Sequence, residues 1–289
     1  MTGPLLLPPG VSSGCWHGTA VWDIQAQGAR ARVSAFGGQL LDWRPVADDP
    51  VFWLSPCPAP LPAPIRGGVP LCWPWFARQG QPADAPAHGL ARTACWRLQS
   101  ARVLDDGRIG LVLVPRQALQ PGLELQQVIR IGRVLEQELH TRNTGDAPVI
   151  LGQALHSYFR VPGLASVGVE GLAGCRYEDA VHPGRPGVQQ GSWHWNRRHD
   201  GGRVDRIHAH AGQALRLVRG QHLPALRITP ARAGSLVLWT PGEELGMRMA
   251  DVGAGWNHYL CLEVANAGEG RIELAPGQAH RLGQQLALD

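Results

Sequence analysis

A glutamate and a histidine carry the clearest chemical signal in this chain. Glu263 interrupts HYLCLEVANA, an otherwise apolar strand-like run. A carboxylate buried there without a partner costs on the order of several kcal/mol, so an arginine or a functional cleft must compensate. Burial also raises a carboxyl pKa, which suits a general base. The plainer alternative places Glu263 on the outward face of an edge strand, with Leu262 and Val264 pointing inward. His156 lies in GQALHSYFRVPG, near the end of a predicted strand. If Leu155 faces the core, His156 projects to the opposite face, toward solvent or a concave site. Imidazole titrates near neutrality and serves as acid in one direction and base in the other.

A second group of polar residues sits in the run from 65 to 92, IRGGVPLCWPWFARQGQPADAPAHGLAR. Pro70, Pro74, Pro82 and Pro86 remove backbone donors, so the run is a poor helix. Trp73, Trp75 and Phe76 are large apolar groups that need burial, so it is no solvated linker either. An irregular, aromatic-lined loop carrying Arg66, His88 and Arg92 suits a cleft for a polar or anionic small molecule. The same residues also fit a rigid surface loop whose aromatics cap the core. The two arginines are fork-shaped donors able to grip hydroxyls or phosphate oxygens.

The remaining candidates are weaker. Asp205 opens the strand-like run VDRIHA beside Arg206. His208 and His210 share a strand face as metal ligands can, but no third ligand is evident. His194 and His199 fall in a polar connection and are expected at the surface. No glycine-rich phosphate loop follows a strand and opens a helix, so nucleotide binding is not indicated.

The elements that must position these groups are strands. TAVWDIQA, GRIGLVLVP, LELQQVIRI, VLEQELHTR, SLVLWTP and HYLCLEVA are short β-like runs separated by Gly, Pro, Asn and Asp turns. Gly132-Arg133 reads as a hairpin turn, and long stretches of helical period are absent. The polar, Gly-rich stretch 181–203 reads as a connection rather than a domain boundary. The 289 residues are 44% hydrophobic, ample for one large core. The expectation is one all-β domain over residues 1–289, a sandwich or barrel, with 1–18 a peripheral N-terminal segment.

Composition excludes several function classes. The net charge of +4 is modest and scattered, so no nucleic-acid partner is expected. All 27 basic residues are arginine, which rules out a Schiff-base or P-loop lysine. The bias toward Ala, Gly, Pro and Arg reads first as that of a GC-rich coding sequence. The six cysteines are widely spaced with no C-x-x-C pair, so neither a zinc knuckle nor a disulfide framework is expected. MTGPLLLPPG lacks a basic leader region, and no apolar segment is long enough to span a membrane. A soluble, reduced, cytoplasmic protein is expected.

Taken in order, the motifs form a recognisable set. RGGVPLCWPWF, HGLAR, LHSYF, VDRI, WTP and CLEVAN follow one another from about GGQLLDWRP at 37–45 to the end. In this order they resemble the aldose 1-epimerase superfamily, and more narrowly its hexose-6-phosphate mutarotase branch. The stretch ELAPGQAHRLGQQL resembles that branch's closing strand pair. The resemblance implies a galactose-mutarotase-like β-supersandwich that interconverts the α and β anomers of a hexopyranose 6-phosphate. It implies Glu263 as general base, His156 as general acid, and Arg66, His88, Arg92 and Asp205 as substrate-binding residues. No cofactor and no metal is implied, and the partner is a small-molecule sugar or sugar phosphate. Arg78 is the one arginine in the stretch after WPWF, and Thr240 stands where the branch has Asn, with a shorter side chain. Alternatives of other kinds are a mutarotase for unphosphorylated aldoses and a non-catalytic carbohydrate-binding sandwich. A glycoside hydrolase using Asp205 and Glu263 is a further one.

Overall fold

Apolar residues alternating with polar ones build two large antiparallel sheets in the computed structural model, which describes residues 6–45, 49–210 and 212–289. The larger sheet has nine strands. Its centre is Ala279–Leu288, Val134–Asn143 and Leu123–Ile131, and burial alternates residue by residue along the last two. Gly132-Arg133 makes the expected hairpin between the last two. Leu135, Leu139, Ile129, Leu282 and Leu286 point inward from this sheet.

The smaller sheet of eight strands receives them. It runs from Gly187–Val188 through Arg176–Asp179, Val204–Ala209, Ser235–Thr240, Tyr259–Asn266 and Gln153–Leu155 to Leu71–Cys72, with Tyr158–Arg160 pairing alongside on Tyr259–Asn266. Leu155, Phe159, Leu236, Leu238, Leu260, Leu262 and Val264 meet the larger sheet and close the core. At roughly 1.5–3 kcal/mol per fully buried apolar side chain, this layer is the main stabilising feature of the fold.

Tyr259–Asn266 is buried at every position. A strand at the surface of a two-layer sandwich normally shows one wet face. Here Tyr259, Cys261, Glu263 and Ala265 face away from the core and are covered a second time, by the 65–92 segment and the turns around Gly242–Arg248. That covered face carries Glu263, and we refer to the space between it and its cover as the cleft. A third sheet of four strands, Val11–Trp16 to Leu40–Arg44, and a two-stranded pair, Val149–Leu151 with Ile272–Leu274, complete the single domain.

Some expectations needed adjustment. Residues 1–5 of the N-terminal run lie outside the described residues, and Val11–Trp16 forms a mostly exposed edge strand. The 181–203 connection carries two short strands, Gly187–Val188 and Trp193–His194. Ile272–Leu274 and Ala279–Leu288 do not pair with each other; they pair with Val149–Leu151 and Val134–Asn143 respectively. No helix among the described residues is long and apolar enough to cross a membrane.

Candidate active site

Glu263 sits on the central strand of the smaller sheet, not on an edge, and is 1% exposed. Its neighbour across the ladder is set by register. Leu155 pairs with Val264 and Tyr158 with Cys261, so the register runs unbroken through the two residues between them. His156 therefore stands opposite Glu263, and its Nδ1 lies 3.3 Å from Glu263 Oε1. Pairing is interrupted at Ser157, whose N–H turns back to the Leu155 carbonyl, while His156 N–H donates to the Pro70 carbonyl and Leu262 N–H to the Ser157 carbonyl. His156 Nδ1 and Glu263 Oε2 are buried and have no hydrogen-bond partner among the described residues.

Each of the two groups is displaced from its usual protonation range. Burial pushes the Glu263 carboxyl well up, Asp205 adds to the effect, and Arg92 opposes it. Burial pushes the His156 imidazolium well down, aided by His88, Arg92 and Arg66. Two titratable groups whose environments drive them apart are a frequent mark of acid–base sites.

The other expected residues gather on the same face. Asp205 pairs in register with Trp239, which pairs with Cys261, so all three side chains face the cleft. Burial raises the half-buried Asp205 carboxyl, with Arg203 opposing and Asp179 assisting. The rings of His156 and Tyr158 stack at 4.9 Å and 9°. Trp239, Tyr259 and Trp53 extend this aromatic wall.

The 65–92 segment closes the other side. Trp73 and Gly89 form an isolated bridge, and a Cβ on Gly89 would come within 2.0 Å of the Trp73 carbonyl oxygen. Glycine at φ +77° is what allows that approach. His88 N–H donates to the Ala77 carbonyl, and Ala77 N–H donates back to His88 Nδ1 at 3.4 Å. Ala77 and His88 both hold positive φ, the strained neck of the excursion between them. Because Nδ1 accepts, the ring proton resides on Nε2, and the Cys72 thiol at 3.3 Å completes the arrangement. Burial, Arg92 and Arg66 lower the His88 pKa to about 3, so His88 is a neutral hydrogen-bond donor.

The two arginines differ. Arg66 Nε donates to Asp251 Oδ2 and Nη1 to Tyr158 Oη, each at 3.0 Å. Arg92 donates to the Ala87 carbonyl at 2.7 Å and has no acidic partner among the described residues. Arg78 is exposed. Thr240 is fully buried, and its hydroxyl accepts from Gly242 N–H, so it caps a turn rather than facing the cleft. A cavity of about 670 Å³ lies further along the same sheet face, lined by Gln79, Glu178, Asp179, Ile207, Ala209 and Ser235; none of the six expected site residues lines it.

Sequence reasoning missed Asp251, Tyr158, Cys72 and Cys261 as parts of this group. It also missed what lies behind His156. Ser157 and Gln284 exchange hydrogen bonds, Gln284 donates to Gln137, Gln137 to Gln127, and Gln127 to the Gly38 carbonyl. All five residues are buried. Gly37, next along, packs on the backbone of Arg92. A fully satisfied polar chain through an apolar core rigidifies what it joins, here the His156 corner and the Arg92 turn.

The cleft pairs a proton donor with a proton acceptor at one wall, neutral and cationic donors at another, and aromatic surface between. Such a set has the chemistry to hold a polyhydroxylated small molecule and to exchange protons with it. A family model for aldose 1-epimerase matches residues 21–287. A protein of Escherichia coli K12 named "Putative glucose-6-phosphate 1-epimerase" is 30% identical over 254 residues, 83% of this chain and 81% of that one. One of the same name from Cenchrus ciliaris is 26% identical over 277 residues, 89% and 82% of the two chains. Among solved structures, a "putative mutarotase" from Salmonella typhimurium superposes with TM-score 0.86 at 26% identity, covering 98% of this chain and 96% of that one. A galactose mutarotase-like protein from Clostridium acetobutylicum, 12% identical, shares the fold at TM-score 0.71 over 96% and 98%.

Proposed function

The chain belongs to the aldose 1-epimerase family, and from that premise we propose that it interconverts the anomers of a hexopyranose 6-phosphate, with Glu263 and His156 exchanging the protons. One observation carries the role assignment: the two groups face each other in register at 3.3 Å. Mutarotation removes a proton from the anomeric hydroxyl and delivers one to the ring oxygen. Both oxygens are bonded to the same carbon, so acid and base must stand side by side.

Burial favours the uncharged forms, with the pair's one exchangeable proton on Glu263. Shifted across the 3.3 Å gap to His156, it leaves a carboxylate that takes the anomeric hydroxyl proton and an imidazolium that supplies one to the ring oxygen, and the bond between C1 and the ring oxygen breaks. The resulting aldehyde turns about C1–C2. Ring closure on its other face reverses both transfers and restores the pair. The proton count of enzyme plus sugar never changes. Each positioned group contributes typically ~10²–10⁴-fold. Neutral His88 donates through Nε2–H to a sugar oxygen, Asp205 accepts from sugar hydroxyls, and the aromatic wall excludes water from the open-chain aldehyde.

The phosphorylated substrate is supported by the names of the relatives above and by Arg92, a half-buried cation with no acidic partner among the described residues. Exchange spectroscopy by NMR on glucose 6-phosphate and on glucose tests the reading. Acceleration over buffer with the phosphate ester, and less with the free sugar, is expected. A folded protein that accelerates neither would overturn it. Faster exchange of the free sugar would overturn the phosphate preference alone.

A further inference from the structure

We propose that Cys261, His156 and Glu263 form a binding site for a thiophilic divalent cation, with zinc as the probe, and that the cation inhibits by occupying the cleft floor. The ligand atoms of these three residues lie within 4.8 Å of one another. One sulfur, one imidazole nitrogen and one carboxylate oxygen make a donor set that zinc accepts, and three protein ligands leave a fourth position open. Two ligands ~2.0–2.1 Å from a tetrahedral zinc stand about 3.3–3.4 Å apart. His156 Nδ1 and Glu263 Oε1 are separated by 3.3 Å without forming a hydrogen bond.

The burial pattern supports the same placement independently. Cys261, His156 and Glu263 are 0%, 7% and 1% exposed. His156 Nδ1 and Glu263 Oε2 are buried without partners, so nothing in the fold competes for their lone pairs. Cys261 lies two residues before Glu263 on one strand, which puts both side chains on the cleft face. The proton exchange described above makes no use of its sulfur. Coordination replaces the Cys261 thiol proton and the proton held by the Glu263 carboxyl: sulfur–metal and oxygen–metal bonds form, and both protons pass to solvent. The bound cation then ties up the imidazole nitrogen and the carboxylate together. Binding rests on this geometry alone, whereas inhibition rests on the acid–base reading of the same site.

The test uses the full chain freed of metal by chelation. Cobalt(II) titration is expected to produce a near-ultraviolet sulfur-to-cobalt charge-transfer band that is absent in Cys261→Ser and Cys261→Ala. The exposed Cys15, Cys57 and Cys95 can add background, and the difference against these variants removes it. Zinc is expected to slow anomer exchange competitively with the sugar phosphate, reversibly on chelation, and at least ~10-fold less potently in either variant. Cys72→Ser is expected to leave the band in place. A spectrum unchanged by loss of Cys261 would overturn the site. A band that depends on Cys261, with exchange unaffected by zinc, would keep the site and overturn both the inhibition and the acid–base assignment.

Discussion

Arg66 and Asp251, distant in sequence, are joined by a 3.0 Å ion pair at the rim of the cleft. The same guanidinium holds the Tyr158 hydroxyl, and the Tyr158 ring lies flat against His156. Arg66 thus braces the imidazole, and under the proposed function it is also a cation near the sugar. Arg92 has no such obligation to an acid.

This difference separates two variants. Arg92→Met is expected to raise KM for a hexose 6-phosphate by ~10-fold or more, about 1.4 kcal/mol, with much less effect on a free hexose. Arg66→Met is expected to lower kcat and thermal stability together, because Asp251 loses its partner and Tyr158 its anchor. Steady-state kinetics with both sugars, alongside melting curves, check the split.

Glu263→Gln and His156→Gln are each expected to lose ~10²–10⁴-fold in exchange rate. The double variant should lose little more than either single one, since the two residues act on one proton pair. Circular dichroism should show the native fold in all three. Multiplicative losses in the double variant would mean that the two act independently.

The buried glutamine chain predicts a contrast between single and multiple replacements. Gln137→Leu strands Gln127 and Gln284 and should destabilise by about 1–3 kcal/mol for each group left unpaired. Replacing Gln127, Gln137 and Gln284 together with Leu or Met should recover much of that stability. If the chain positions the His156 corner, kcat stays low in the stable triple variant while KM is unchanged. Full kcat in that variant would reduce the chain to a packing feature.

His208 gives the fold an acid-sensitive point away from the cleft. It is fully buried, with no hydrogen-bond partner on either ring nitrogen among the described residues, and its ring lies 5.2 Å from Tyr177. Burial, Arg206 and His210 push its pKa down to about 4, with Asp179 opposing. As pH falls, the unfolded chain takes up this proton near its ordinary value while the folded chain resists. The stability is intact above the unfolded value near 6.5 and drains away toward pH 4, by ~3 kcal/mol at most. His208→Leu should flatten this part of the acid-unfolding curve. Identical curves for the variant and the parent would contradict it.

Much of this was legible in the sequence because it depends on local pattern. Glu263 announced itself by breaking an apolar run, whereas Asp205 stood out only through the ordered set of motifs. His156 followed from the parity of Leu155. What stayed hidden depends on long-range pairing. Nothing local in ADVGAG marks Asp251 as the partner of Arg66. Cys72 and Cys261 read as ordinary apolar strand residues, which is how free cysteines usually behave. Thr240 looked like a shortened substrate contact, yet its hydroxyl turns back to Gly242 N–H. The order of nine strands could not be read off either, since neighbours such as Ala279–Leu288 and Val134–Asn143 lie far apart in sequence.

The unbroken register between Leu155–Val264 and Tyr158–Cys261 has a bearing on how such a catalyst can diversify. Neighbouring strands keep a fixed pitch of about 4.8 Å whatever their sequence. Under the proposed function, an acid and a base standing opposite each other in this register, His156 between two paired stretches and Glu263 on the facing strand, inherit their spacing from the paired backbone rather than from a long loop. The segments that read the rest of the sugar, including 65–92, can therefore lengthen, shorten or change charge without retuning the proton-transfer distance. Loop grafts from relatives onto this sheet should transfer substrate preference while leaving the intrinsic rate of ring opening nearly constant.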